Sequence, residues 1–425
     1  MSRAMKDSGI PWIGEIPERW GLDTIVNLYT LRTEKVSDKD YAPLSVTKMG
    51  IVPQLETAAK TDDGDNRKLV RVGDFAINSR SDRRGSCGIS AYDGSVSLIN
   101  LVLTPRGQMS PRFYNWLFHT ELFADEFYKW GHGIVDDLWT TRWQEMKRIS
   151  IVSPSYQEQQ RIAEFLNRKC AEVDEMIALQ EQIIEELKAY KQSVITEAVT
   201  KGLNPAAPMR DSEIVVVDKI PSHWKETKTL RLLSMPITDG PHETPDGLDD
   251  GIPFISADAV SDGYINFDNK WGYISQKYFE ECCKKYIPQK YDIYMIKSGA
   301  STGRTAIVET DEIFTIWSPL AVFRANTNII LPYFLLYVLR SDYYQKQVEN
   351  KWSFGTQQNI GMRVLEKLLI SYPPITEQQA IADYLDEKCA DIDSLIQTKQ
   401  SKIDSLKEYK KSIIYEYVTG KREVE

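Results

Sequence analysis

The sequence is poor in the residues that staple a chain or hold a metal. Its 425 residues include five cysteines, Cys87, Cys170, Cys282, Cys283 and Cys389, and four histidines, His119, His132, His223 and His242. The odd cysteine count, with no Cys-x-x-Cys pair, excludes a disulfide framework and a zinc ribbon, and no two histidines have ligand spacing. No metal site is expected, and a reducing cytoplasm is the natural compartment. No run approaches about 18 apolar residues, so no membrane span is expected. The opening MSRAMKDSGIPWIGEIP lacks the apolar centre of a signal peptide. It offers both Met1 and Met5 as starts of translation.

Catalytic signatures are missing too. There is no [DN]PP[YF] amino-methyltransferase motif, no glycine-rich cofactor loop after a first strand, no helicase P-loop and no Asp/Glu/Lys nuclease cluster. YPPI at 372–375 lacks the preceding Asp or Asn that would hold a target amine. The chain is therefore expected to bind no cofactor of its own. A net charge of −9 argues mildly against nucleic-acid binding, but local charge decides that, and a basic partner can supply phosphate contacts.

What the sequence does contain is a long internal repeat. PSYQEQQRIAEFLNRKCAEVDEMIALQEQIIEELKAYKQSVITEAVTKGL at 154–203 matches PPITEQQAIADYLDEKCADIDSLIQTKQSKIDSLKEYKKSIIYEYVTGKR at 373–422, with 22 identities in 50 ungapped positions at an offset of 219. A shorter echo, EIPERW at 15–20 and KIPSHW at 219–224, has an offset of 204. The period is far too long for a solenoid and reads as a duplicated pair, a variable domain followed by a helix.

After its opening prolines, each copy has no Pro or Gly until Gly202 or Gly420, and helix formers dominate. A heptad frame fits both. In the first copy one seam row is Leu166, Val173, Gln180, Leu187 and Val194, and the other is Ala163, Cys170, Ile177, Ile184 and Lys191. The second copy gives Leu385, Ile392, Lys399, Leu406 and Ile413 with Ala382, Cys389, Ile396, Ile403 and Lys410. Gln180/Lys399 and Lys191/Lys410 interrupt the apolar seam at matching heights. An amphipathic helix packed on a globular core fits the same pattern, but two matched copies favour mutual pairing.

Charge orients the pair. Residues 158–181 hold six acidic and three basic residues, and 182–203 three of each; 377–400 hold six acidic and two basic, and 401–422 three acidic and six basic. An antiparallel pair sets each acidic half against a neutral or basic one and opposes the helix dipoles. A rod of about 42 residues at roughly 1.5 Å per residue spans on the order of 60 Å.

Segments 20–153 and 224–372 read as mixed α/β domains. LVRVGDFAINS, VSLINLVLT, YDIYMIKS and AVFRA are strand-like, and short helices are predicted at 111–129 and 331–348, each opening on Pro. The expected class is α+β: two mixed domains separated by two long helices in an antiparallel coiled coil, pseudo-twofold symmetric. Its parts are 1–153, 154–203, 204–372 and 373–425.

The whole arrangement resembles the specificity subunit of type I restriction–modification systems. The resemblance rests on GIPWIGEIPERW, on PxxxEQQxIAxxL before each helix, and on the helix endings YKQSVITEAVT and YKKSIIYEYVT. It implies that 1–153 and 204–372 are target-recognition domains and that the helices are the family's two conserved regions. KSGASTGRTAIV (297–308) and SFGTQQNI (353–360) resemble short motifs of such domains; the first domain departs from them, with SRSDRRGSCGIS (79–90) and HGIVDDLW (132–139) in the matching places. The implied partners are double-stranded DNA, two methyltransferase subunits using S-adenosylmethionine, and restriction subunits using ATP and Mg, with no membrane.

The candidate DNA-binding residues follow. Lys297, Ser298, Ser301, Thr302, Gly303 and Arg304 form a glycine-containing loop that lets backbone N–H groups approach an anion, although an ordinary strand–turn–strand reads the same way. Gln357, Gln358 and Asn359 carry amides suited to adenine, or to capping a helix at 360–368. In the first domain, window 67–84 holds six basic and two acidic residues, whereas 20–153 balances at 17 of each. Arg80, Arg83 and Arg84 are therefore candidates for phosphate or guanine, against a solvated loop. Trp139, Thr140, Thr141 and Arg142 form a further group. A self-sufficient DNA-modifying enzyme and a coiled-coil scaffold that binds only protein are the competing readings. Methyl transfer by the purified chain would favour the first, and absence of sequence-dependent DNA binding the second.

Overall fold

The computed structural model describes residues 3–54, 64–133, 139–354 and 358–424. The chain divides into two compact units, Met1–Glu181 with Gln400–Glu425, and Gln182–Lys399. Two long helices, Tyr156–Lys201 and Ile375–Val418, contribute residues to both units.

In the first unit, four antiparallel strands lie in the order Cys87–Ile89, Phe75–Asn78, Asn100–Pro105, Tyr29–Leu31. A three-stranded sheet, Gly94–Val96, Arg67–Val70, Lys35–Val36, and a hairpin, Leu44–Thr47 with Gly50–Pro53, accompany it. One face of the four-stranded sheet meets an aromatic core that includes Tyr29, Phe75, Phe113, Phe118, Phe123 and Phe127, while Leu44, Ile51, Val70 and Val96 of the other strands form a smaller core with Ala76 and Val102 on its other face. That core is continuous with Ile162, Ala163, Leu166 and Cys170 of the first long helix and Ile413, Tyr417 and Val418 of the second.

The second unit repeats the plan. Its five-stranded sheet runs Thr238–Asp239, Leu320–Phe323, Ile293–Ile296, Thr305–Ile307, Gly263–Tyr264, the last pair parallel. A smaller sheet holds Gly272–Ile274, Ile252–Ile255 and Thr315–Ile316. Val194, Ile195, Ala198 and Val199 of one long helix and Ile381, Leu385 and Cys389 of the other complete its core. The strand before each long helix pairs antiparallel with the strand opening the domain: Ser150–Ser153 with Gly21–Thr24, and Leu369–Tyr372 with Lys225–Lys228.

Within each unit the long-helix segments run antiparallel. In the first, Phe165 meets Tyr417 with ring centroids 4.4 Å apart, and Lys410 Nζ lies 2.6 Å from Asp174 Oδ1. In the second, Lys191 Nζ lies 2.8 Å from Asp393 Oδ2, and the first helix ends at Gly202 beside Glu377. Asp174 and Asp393, like Lys191 and Lys410, are repeat equivalents at offset 219, so one lysine–aspartate pairing occurs twice. The seam lysines thus leave the apolar contact and reach acids on the other helix. Leu166, Cys170, Val173, Ile184, Leu385, Cys389, Ile392 and Ile403 are buried, and Ile177, Leu187, Ile396 and Leu406 are half-buried. Off the seam, Met176, Leu179, Tyr190, Leu395 and Tyr409 stay exposed.

Each copy of the PxxxEQQ motif locks a long helix to its domain. Gln159 Oε1 accepts from Ser110 N–H at 2.7 Å while its Nε2 donates to Pro154 O at 2.8 Å. Gln378 does the same with Leu331 N–H (2.8 Å) and Pro373 O (2.8 Å), and also donates to Ile329 O (2.9 Å). Ser110 and Leu331 are the N-cap residues of helices that begin with Pro111 and Pro332. The preceding glutamates hold the shorter repeat. Glu158 pairs with Arg3 and Arg19, and Glu377 accepts from Trp224 Nε1 (3.1 Å) and lies 2.8 Å from His223 Nε2. Gly202 ends the first long helix at φ +71°, a left-handed stop that glycine adopts without a Cβ penalty.

Two expectations change. The stretch 111–129 is two helices, Pro111–Phe118 and Glu121–Lys129, because the Thr120 hydroxyl accepts from Phe123 N–H (3.2 Å) and restarts the helix. The stretch 331–348 likewise breaks at Ser341 into Pro332–Arg340 and Asp342–Glu349, with the Ser341 hydroxyl donating to Val338 O at 2.6 Å.

Candidate nucleic-acid interface

In the second unit, strands Ile293–Ile296 and Thr305–Ile307 pair antiparallel, and the loop 297–304 joins them. Ile360 N–H donates to Lys297 O at 2.9 Å and Ser298 bridges Asn359, so the loop and the 358–360 segment lie side by side. Gly303 takes φ +94°, and a Cβ there would strike the Gln345 carboxamide, whose Nε2 donates to Gly303 O at 2.9 Å. Any larger residue would push the loop off this tether.

The loop's candidates divide by what their side chains already do. Arg304 is exposed, and Ser298 and Ser301 are half-buried. Thr302 spends its hydroxyl inside the turn, donating to Gly299 O at 2.7 Å. Lys297 points inward: its side chain is 13% exposed and its ammonium lies 3.0 Å from Asp239 Oδ2. Asn359 is exposed, Gln358 is described by its backbone alone, and Gln357 lies outside the described residues.

The first unit builds the same junction from a different sequence. A 3₁₀ turn, Ser81–Arg83, follows strand Phe75–Asn78, and Arg80 bridges Thr140. Ser81 N–H donates to Trp139 O (3.0 Å) and Thr141 N–H to Ser79 O (2.9 Å). Thr140 and Asn359 are equivalents at offset 219, so both domains join their candidate segments at one structural position. Arg83 and Arg84 are 68% and 51% exposed, in ion pairs with Asp82 and Asp125. Arg80 is half-buried beside Asp82 at 3.4 Å. Exposed pairs of this kind contribute little, about 0–1 kcal/mol, so a phosphate can displace them. Arg142 is exposed.

Two of the first-domain candidates are structural. Thr141 is fully buried, and its hydroxyl donates to Phe127 O at 2.8 Å. Trp139 Nε1 donates to Tyr128 O at 2.7 Å. Both fasten the 139–142 segment to the helix Glu121–Lys129 and present no polar group to a ligand. Residues 134–138 of the HGIVDDLW stretch lie outside the described residues.

Asp239 was not marked by any motif. It ends an edge strand, is 1% exposed, and holds Lys285, Lys297 and His242. Burial pushes its carboxyl up, but Lys285 and Lys297 outweigh burial and hold it below the ordinary aspartate value. The signal in the sequence was an acid closing a short strand, Thr238–Asp239, directly before Gly240–Pro241. Among the described residues no group of three His, Cys, Asp or Glu is placed to hold a metal, and no helix is long and apolar enough to cross a membrane.

Residues 245–418 match the family described as type I restriction modification DNA specificity domain. That stretch is similar to this domain, and the chain is similar to proteins named as type I restriction enzyme specificity subunits. It is 29% identical over 248 residues to the type I restriction enzyme EcoBI specificity subunit of Escherichia coli, covering 57% of this chain and 52% of the relative. To the MjaVIII specificity subunit of Methanocaldococcus jannaschii it is 25% identical over 280 residues, covering 65% and 62%. The chain therefore matches about half to three-fifths of the length of these relatives. One solved chain, from work on complex assembly and conformational transition of a type I R-M system, superposes with a TM-score of 0.71 at 16% identity, covering 95% of this chain and 98% of that one. The HsdS subunit of Thermoanaerobacter tengcongensis gives 0.52 at 17% identity, covering 96% and 98%. These two likenesses show the fold, including the two mixed domains and the long helices.

Proposed function

We propose that the chain is the DNA-recognition subunit of a type I restriction–modification complex. It reads a bipartite, asymmetric site in double-stranded DNA with one half-site per recognition domain, 1–153 and 204–372, and has no catalysis of its own. The observation that carries this reading is the repeated junction, in which residues 79–84 meet 139–142 and residues 297–304 meet 358–360 at equivalent positions in two domains of unlike sequence. Equal placement with different side chains is what two readers of different half-sites require.

The two half-sites are then separated by a spacer that no side chain reads. Each half-site supplies limited discrimination, about 1–3 kcal/mol per misread base pair, and joining the two readers in one chain multiplies the two. The exposed helix faces receive two methyltransferase subunits, which carry S-adenosylmethionine, and restriction subunits using ATP and Mg join the full complex in the cytoplasm. Methylome sequencing of a host with and without this chain tests the proposal. A two-part methylated motif should appear only with the chain, and exchanging 224–372 for another such domain should change one half-site alone. A change in both halves refutes the modular reading.

A further inference from the structure

The second domain contains a cationic cluster outside the candidate loop. Asp239, buried at the end of its strand, holds the Lys285 ammonium on Oδ1, and Gly240 O accepts a second bond from that ammonium at 3.1 Å. An ammonium has three donors. Two are spent on the protein, and the Lys285 side chain remains 47% exposed, leaving the third for an outside acceptor. His242 Nε2 stands 3.4 Å from Asp239 Oδ2 on a side chain 72% exposed, and both residues line an open cavity of about 420 Å³. Glu243 and Glu281 also line it, and Glu281 is paired with Lys284 at 2.7 Å. The cluster is continuous with the candidate loop: Asp239 also holds Lys297, Lys297 N–H donates to Pro319 O (2.8 Å), and Ser318 N–H donates to Pro241 O (3.0 Å).

We propose that Lys285, seconded by His242 and aimed by the buried Asp239, is a seat for one DNA backbone phosphate that sets the register of the second domain on its half-site. The inference rests on the recognition function proposed above. Holding the lysine on two protein acceptors removes much of the side-chain entropy that a surface lysine loses on gripping phosphate. Lys297, the first of the loop's two basic residues, is the anchor of the loop and not its contact.

The chain assembled with its methyltransferase subunits is titrated with DNA carrying both half-sites over a range of salt. Lys285→Met should weaken binding about five- to tenfold, equally on altered half-site sequences, and flatten the log Kd against log salt slope by about 0.9. Lys285→Arg should restore most of the slope. Asp239→Asn discriminates further. By charge alone, loss of a carboxylate tightens DNA binding, whereas loss of the aiming group weakens it. Because Asp239 also anchors the loop through Lys297, the seat is read from the double variant: a weakening by Asp239→Asn that shrinks in the Lys285→Met background supports the seat, and a fully additive weakening, or equal or tighter binding, overturns it. A neutral methylphosphonate scanned through the second half-site should find one position that weakens the parent but not Lys285→Met, and finding none overturns the seat as well. Sequence-independent binding by the parent would remove the recognition function beneath it. Sequence-dependent binding with an unaltered slope in Lys285→Met would remove only the seat.

Discussion

Replacing Gln378 by leucine keeps nearly the same volume and deletes three hydrogen bonds, to Leu331 N–H, Pro373 O and Ile329 O. Gln378 is fully buried, so water cannot take over its partners. A net contribution of about 1 kcal/mol per bond gives ~3 kcal/mol for Gln378→Leu, with the stranded Leu331 N–H the costliest loss. Gln159→Leu at the equivalent place deletes two bonds, to Ser110 N–H and Pro154 O, and should cost ~2 kcal/mol. Urea unfolding of the full chain measures the totals. Amide exchange reads the sites: Leu331 N–H should exchange about 100-fold faster in Gln378→Leu, since every 1.4 kcal/mol is tenfold. The reasoning fails if either variant stays within about 0.5 kcal/mol of the parent, or if Leu331 exchanges as fast in Gln159→Leu as in Gln378→Leu.

Acid should loosen the first unit through Glu158. Burial pushes its carboxyl up, but Arg3, Trp20 and Arg19 outweigh burial and hold it below the ordinary value of 4.5. A folded pKa below the unfolded one gives stability that is full above the ordinary value and is lost as pH falls through the folded value. Glu158→Gln should therefore unfold at lower urea at pH 7 and lose part of the parent's acid sensitivity; an unchanged pH profile would contradict this. Tyr291 holds φ +70° at a turn where the first domain has Gly73 at +89°. Tyr291→Gly relieves a strain of about 1–2 kcal/mol, whereas Tyr291→Ala keeps it and loses the ring contact to Tyr333. The glycine variant should thus melt above the alanine variant, against the usual order. In the first domain, Arg83→Ala should flatten the salt dependence of DNA binding by about 0.9 without altering which bases are preferred; a changed preference would mark Arg83 as a base reader.

The helices were legible because two independent signals agreed, a period near 3.5 residues and a repeat at one offset that placed Lys191 and Lys410 at matching heights. Their antiparallel order followed from charge halves, and the contacts of Lys410 and Lys191 are the atoms behind that sum. The breaks at Thr120 and Ser341 escaped because each turns on one hydroxyl competing with the helix ladder inside otherwise helical stretches. The first-domain loop was found by its basic composition and the second by its resemblance to short motifs of the family, but the direction of each side chain depends on distant sequence. Lys297 is turned inward by an acid 58 positions earlier, and Thr141 is consumed by a carbonyl of a neighbouring helix. The glutamines of the EQQ motif were visible as identities, while their role needed the N-caps they grip.

The first unit is closed by a segment, Gln400–Glu425, that is translated after the whole of the second unit. Lys421 donates to Ile13 O at 2.7 Å, Gly420 lies against Pro17 and Trp20, and Tyr417 and Val418 complete the aromatic core. The second unit is drawn from one uninterrupted stretch, Gln182–Lys399. On the ribosome the order of maturation is therefore reversed: the domain translated first must wait, with part of its apolar surface uncovered, until Gln400–Glu425 arrives, while the later domain can finish on its own. A stop codon directly after Lys399 would spare the later-made unit and strand the earlier one.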